Sequence, residues 1–334
     1  MTDSTFRLGF FSYLSGPGSA AQVYSNVTEL FVAAESLGLD SVWVAQHHFG
    51  SHGGLPSPLL FLASVAERTR RISLGTAVLT LPFDGALRVA EDAAVFETLF
   101  PGRLQLGVGT GFGSPALHEL FEVDPAQKRA VYTERLERIL AALRGEALDA
   151  TQATLFPPVP ALLDRIWEGP SQLEGVEAAA NRGSGLLLSR VAIGAGATPT
   201  SEVQIPFVDR LSEISRGQGK EPRVVLSRTI LPAASKAAAE EALRPGFERL
   251  IPFFVAQTPE LADYTLAQHL ALANVHYGDA DDIVDSLSKE PTIDRITDLV
   301  FQVQPAEPTQ QETLEIIETV ATQVAPRLGW RLRD

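Results

Sequence analysis

Short apolar runs alternate with longer stretches of helical spacing along this chain, and that rhythm limits the fold more than any other feature. Such alternation predicts parallel strands joined by crossover helices. "FRLGFF" at 6–11 reads as a first strand. Residues 23–37 carry apolar side chains at helical spacing and stop at Gly38, a C-terminal glycine. "DSVWVA" at 40–45 is strand two, followed by a helix over 58–68 opened by proline. "ISLGTAVL" from Ile72 and "GRLQLGVG" from Gly102 are strands three and four, with helices over 88–99 and 128–143. Their connections have the short lengths usual for strand–helix units.

The second half is looser. Residues 144–163 contain "TLFPPVPALL", whose prolines mark an irregular insertion or a short hairpin. "DRIWEG" (164–169), "GLLLS" (185–189), "RVVLSRTI" (223–230) and "DLVFQVQP" (298–305) supply strands five to eight. Helical patterns lie at 171–181, 203–215, 234–254, 281–287 and 309–324. Eight strands with interleaved helices predict an α/β fold, a (β/α)8 TIM barrel with insertions, as one domain over residues 1–334. An open doubly wound sheet would show the same alternation, because closure is not written in the pattern.

Composition narrows the function classes. With 45% hydrophobic and 20% charged residues, the chain has the makings of a large globular core. It has no cysteine, so disulfides and thiolate metal sites are excluded and redox chemistry would need a cofactor. A net charge of −14 argues against nucleic acid or an anionic membrane as partner. The start "MTDSTFRLGFF" lacks the pattern of a signal peptide, and no stretch approaches the ~18 apolar residues of a membrane span. A cytoplasmic enzyme is the expectation.

In a barrel the chemistry lies at the C-terminal ends of the strands. "VAQHHFGSHGG" (44–54) places His47, His48 and His52 there, after strand two. Adjacent histidines project in different directions, and no HExxH or carboxylate-rich pattern accompanies them, so no metal is expected. His52, among Ser51, Gly53 and Gly54, reads as loop filler. For the pair, a neutral imidazole near pH 7 can accept, donate or relay a proton.

Three further strand ends suggest an anion site. "GVGTGFGSP" (107–115) offers either backbone N–H groups to an anion or a tight turn with positive φ. It misses the dinucleotide pattern, since Ser114 stands where a third glycine is needed. "EGPSQLEG" (168–175) opens a helix, with Ser171 as N-cap and the helix start as a phosphate site. Strand six ends in Ser189 and Arg190. The ends of strands four, five and six would converge on one phosphate.

"AESLGLDSVWVAQHHFGSHGGLPSPLLFLASVAERTRRISLGTAVLTLP" and "LRVAEDAAVFETLFPGRLQLGVGTGF" strongly resemble the bacterial luciferase-like, flavin-dependent monooxygenase family. The resemblance is dense over 30–112 and continues more patchily through "SQLEGVEAAANRGSGLLLSR". It implies a (β/α)8 barrel with insertions, using reduced FMN and O2, or a bound FMN or F420 in a hydride-transfer subset. By the same resemblance His47 is the catalytic histidine beside the flavin, and His48 supports it or packs in the core. Ala77–Val78 match a cis non-prolyl peptide beneath the isoalloxazine, and Phe11 matches a position lining the flavin pocket. Thr110 and Phe112 match phosphate contacts after strand four; Ser171, Gln172 and Gly175 match the phosphate-binding helix start; Ser189 matches the serine ending strand six.

Luciferase carries arginine where this chain has Thr110, so the phosphate loses a cation that Arg190 could replace. An aspartate supporting luciferase's catalytic histidine falls near Ala116, where Glu119 is the nearest carboxylate in sequence. Light emission is therefore not expected. The favoured reading is a two-component monooxygenase acting on a small organic substrate with O2, served by a separate flavin reductase. F420- or FMN-dependent hydride transfer, a non-catalytic flavin carrier and a flavin-free sugar-phosphate barrel are the alternatives. The resemblance implies a homodimer through the 58–68 and 88–99 helices. The substrate pocket is expected from the loop after strand four, 144–163, and 253–277, where Phe253, Phe254, Tyr264, His269 and Tyr277 also suit helix packing.

Overall fold

The structure, a computed structural model, describes residues 6–50, 53–111 and 113–331. Its strands are β1 (Arg7–Ser12), β2 (Ser41–Val44), β3 (Ser73–Thr76), β4 (Leu79–Thr80), β5 (Leu104–Gly109), β6 (Ile166–Glu168), β7 (Gly185–Leu188), β8 (Val224–Pro232), β9 (His276–Gly278) and β10 (Asp298–Gln302). All pair in parallel. β1 bonds to both β2 and β10, and β10 bonds in turn to β8, so the sheet closes on itself. The barrel is shown, and the open sheet is excluded. Expected strand three is interrupted into β3 and β4, while β9 pairs only with the overhanging end of β8, Ile230 opposite His276.

The helices are α1 (Ala20–Ser36), α2 (Pro58–Arg68), α3 (Ala86–Leu99), α4 (Pro115–Leu120), α5 (Lys128–Leu143), α6 (Leu173–Arg182), α7 (Thr200–Gly217), α8 (Lys236–Gln257), α9 (Leu266–Leu272), α10 (Ala280–Ser288) and α11 (Gln310–Thr319). α8, α9 and β9 form the insertion between β8 and α10. α4, α9 and β9 are not among the elements expected from the sequence. The proline-rich 144–163 stretch holds turns and a short 3-10 segment among its residues rather than a hairpin. The closing helix is α-helical only to Thr319 and continues as a π turn over Val320–Val324.

Strand alternation divides the side chains between two layers. Leu8, Phe10, Val42, Leu74, Leu106 and Leu226 face the surrounding helices in the main core. Phe11, Trp43, Trp167, Leu187, Val225 and Val300 fill the barrel itself. The two tryptophans meet edge to face with ring centres 6.1 Å apart. Each is accommodated by a glycine on the neighbouring strand. A Cβ on Gly75, opposite Trp43, would stand 2.1 Å from that indole, and one on Gly185, opposite Trp167, 2.3 Å. The result is a solid apolar plug, whose upper surface carries Tyr13, Ala77 and Val78.

Candidate active site

The strand end bearing His47 is fixed by its neighbour. Gln46 is buried and uses both ends of its amide. Its Oε1 accepts from the Thr80 N–H at 2.7 Å and hydroxyl at 2.8 Å. Its Nε2 donates to Asp84 Oδ2 at 2.7 Å and to the Pro56 carbonyl at 3.1 Å. Arg135, on α5, donates to the Leu81 and Asp84 carbonyls at 3.0 and 2.7 Å. Sequence reasoning passed over Gln46, because a neutral amide beside two histidines carries no pattern of its own.

His47 donates its backbone N–H to the Leu55 carbonyl at 2.9 Å, and the Tyr24 hydroxyl donates to the Gly54 carbonyl. Its ring centre lies 5.4 Å from that of Tyr13, which stands edge-on to Phe11 at 4.8 Å. Gly53 explains part of the glycine-rich loop. A Cβ there would come within 2.7 Å of the Tyr13 carbonyl and 2.9 Å of His47 Nδ1. His48 turns elsewhere, its ring 4.8 Å from Phe121. Burial holds its pKa below the ordinary histidine value, against the opposing pull of the Asp84 charge. Its place is therefore one of packing. His52 lies outside the described residues.

The Ala77–Val78 peptide is cis, at the break between β3 and β4. The glycine run at the end of β5 and just beyond it packs against this break. A Cβ on Gly107 would be 1.9 Å from the Thr76 carbonyl oxygen, on Gly109 2.8 Å from Val78, and on Gly111, at φ +63°, 2.3 Å from Thr80. Close approach accounts for these glycines without an anion. Lys128 Nζ bonds the Gly111 carbonyl at 2.9 Å. Thr110 is half-buried between them, and Phe112 lies outside the described residues.

The helix start after β6 differs from expectation. α6 begins at Leu173 with Gln172, not Ser171, in the N-cap position, and no side chain caps it. The Gln172 side chain is engaged elsewhere: Arg129, in the first turn of α5, donates to its Oε1 at 2.6 Å. Ser171 and Gln172 are exposed. Gly175 already donates its N–H to the Gln172 carbonyl at 3.1 Å, and a Cβ there would be 2.8 Å from Pro170 and 3.8 Å from Arg129 Nη2. The guanidinium standing at this helix start is thus Arg129, a residue the sequence did not single out. Ser189 is exposed after β7, its hydroxyl donating to the Val191 carbonyl at 3.0 Å; Arg190 beside it is half-buried.

Other expectations fall away from the mouth. Glu119 is exposed on α4. His269 is fully buried with its ring 5.9 Å from that of Tyr264, so this part of 253–277 is packing. Among the described residues no group of three potential ligands could hold a metal ion, and no helix is long and apolar enough to cross a membrane.

These features define a closed parallel barrel with an apolar plug, a histidine at one strand end and a guanidinium at a helix start across the mouth. The chain belongs to the luciferase-like monooxygenase family, whose profile matches residues 7–297. It is 41% identical over 118 residues to 4-hydroxyprotoasukamycin monooxygenase of Streptomyces nodosus subsp. asukaensis, which is 35% of this chain and 32% of that protein. It is 44% identical over 101 residues to the F420-dependent glucose-6-phosphate dehydrogenase of Kribbella flavida, 28% of this chain and 29% of that one. The chain spans less than half the length of these curated relatives. In fold it is similar to the oxygenating constituent of 3,6-diketocamphane monooxygenase of Pseudomonas putida, solved in complex with FMN. The TM-score is 0.75 at 17% identity, covering 97% of this chain and 99% of that one.

Proposed function

We propose that this protein is an FMN-dependent oxidoreductase, a two-component monooxygenase that uses reduced FMN and O2 on a small organic substrate. The observation that carries the reading is the pairing of His47 above an apolar plug with Arg129 at the start of α6, on one barrel mouth. The residues present fit FMN. Phe11, Tyr13, Ala77 and Val78 give a flat ring an apolar seat, while Arg129, Gln172 and the hydroxyls of Thr110, Ser171 and Ser189 suit its phosphate. Bound reduced flavin supplies the electrons and activates O2.

The chain's own residues do the rest. The apolar plug keeps water from the face of the ring it supports. His47 moves protons at its imidazole as oxygen is transferred, and Gln46 keeps that strand end in place. The structural relative solved with FMN supports this choice of cofactor. The F420-dependent relative supports a second reading, hydride transfer to or from F420 on the same mouth. α2 and α3 expose Leu60, Val95 and Leu99 outward, which supports a homodimer through those helices. A separate flavin reductase as electron donor and a cytoplasmic location complete the proposal.

Anaerobic titration with FMN, reduced FMN and F420 tests it. Binding of reduced FMN at one per chain, with no saturable binding of F420, is the expected outcome. Saturation by F420 alone would replace the monooxygenase reading with the hydride-transfer one.

A further inference from the structure

One buried polar network outside the His47 corner remains without a role in the proposed chemistry. At its centre Arg228, on β8, is completely buried and faces Glu290. Arg228 Nη2 and Nε donate to the two oxygens of Glu290 at 2.9 and 3.2 Å. Asn274 Nδ2 and the Thr292 hydroxyl donate to the same carboxylate at 2.9 and 3.0 Å. Asn274 Oδ1 in turn accepts from the Ser201 N–H in the first turn of α7 at 3.1 Å.

A buried ion pair is weak support for stability, since desolvation offsets its attraction; its better-attested use is fixing geometry. The geometry fixed here is that of one amide. Arg228 Nη2 also donates to Gln204 Oε1 at 2.9 Å, and Gln204, 1% exposed on α7, passes the constraint on. Its Nε2 donates to the Ser189 carbonyl at 2.7 Å. With Oε1 held by a permanent cation, Gln204 can present only its N–H groups to Ser189. Three residues on, the Ala192 N–H donates to the Thr200 hydroxyl at 3.1 Å, anchoring the far side of the same turn.

The consequence follows from peptide geometry. In a trans peptide the carbonyl and the following N–H point in opposite directions. Drawing the Ser189 carbonyl inward to Gln204 turns the Arg190 N–H away from the buried network. It also removes a partial negative charge from a turn that would face an anion. We propose that Gln204, locked by the Arg228–Glu290 pair, is a positioning residue that sets the Ser189–Arg190 peptide to receive the phosphate of the cofactor. This rests on the FMN reading above and adds to it the device that polarises one wall of the phosphate subsite.

The test compares FMN with riboflavin, which lacks the phosphate, by equilibrium binding to the full-length protein. Wild type should prefer FMN; equal affinities would overturn the phosphate reading and this inference together. Gln204→Met keeps the side chain's volume and loses the donor. It should weaken FMN about tenfold, the scale of one lost charge-linked hydrogen bond, and riboflavin less than twofold. Gln204→Glu, measured at pH 8, keeps the acceptor for Arg228 and loses the donor, and should show the same split. It serves equally if the methionine variant does not fold. If wild type prefers FMN but both ligands weaken alike in the variants, or neither does, Gln204 holds α7 in place and nothing more.

Discussion

On the His47 side of the mouth the geometry is complete within the protein: Gln46 makes four hydrogen bonds, Gly53 fits between Tyr13 and the imidazole, and three glycines close over the β3–β4 break. On the α6 side Ser171, Gln172 and Ser189 are exposed, and the cation over the helix start is held by a single bond from Arg129 to Gln172. On the proposed reading, the first side is preorganised for a reaction and the second awaits a charged group from solvent. Substitutions on the first side are expected to disturb the fold as well as the chemistry, and those on the second chiefly to change ligand affinity.

Two substitutions could break that contrast, and His47→Ala should give the larger effect. Removing a positioned acid–base typically costs about 10²–10⁴-fold in rate. Stopped-flow reoxidation of bound reduced FMN should slow on that scale while FMN affinity changes by less than about threefold. A parallel loss of affinity would make His47 a binding group instead. Gln46→Leu comes next. It leaves the buried Thr80 N–H and the half-buried Asp84 carboxylate without their partner, so urea unfolding should show a loss of about 3 kcal/mol. A loss below about 1 kcal/mol would mean that the strand end is held by other contacts.

Much of the barrel was legible because its strands are apolar on both faces and short, and the helices between them keep a 3.6-residue period. What escaped was set by contacts distant in sequence. β9 is three residues, "HYG", with no apolar run, and exists because β8 overhangs the barrel beside it. Ser171 has the preferred residue type for an N-cap, yet Gln172 takes the position; Arg129, which holds it, lies 43 residues away. The Ala77–Val78 peptide was expected cis from the family resemblance, and no local pattern of alanine before valine would have suggested it. In the glycine run from Gly107 to Gly111, Gly111 has the positive φ of a tight turn, while the spacing of the run to Thr76, Val78 and Thr80 depends on strands that the local pattern does not show.

A crystal structure of the FMN complex would locate both ends of the cofactor. The isoalloxazine is expected over Val78 beside His47, with the phosphate between the α6 start and the Ser189 turn. A groove of about 750 Å³ lies elsewhere, between α8 and α11 and lined by Arg249, Glu312 and Ile316. It lacks the histidine and the apolar plug of the barrel mouth. FMN bound in that groove, or with its phosphate away from α6 and Ser189, would overturn the proposed placement of the flavin.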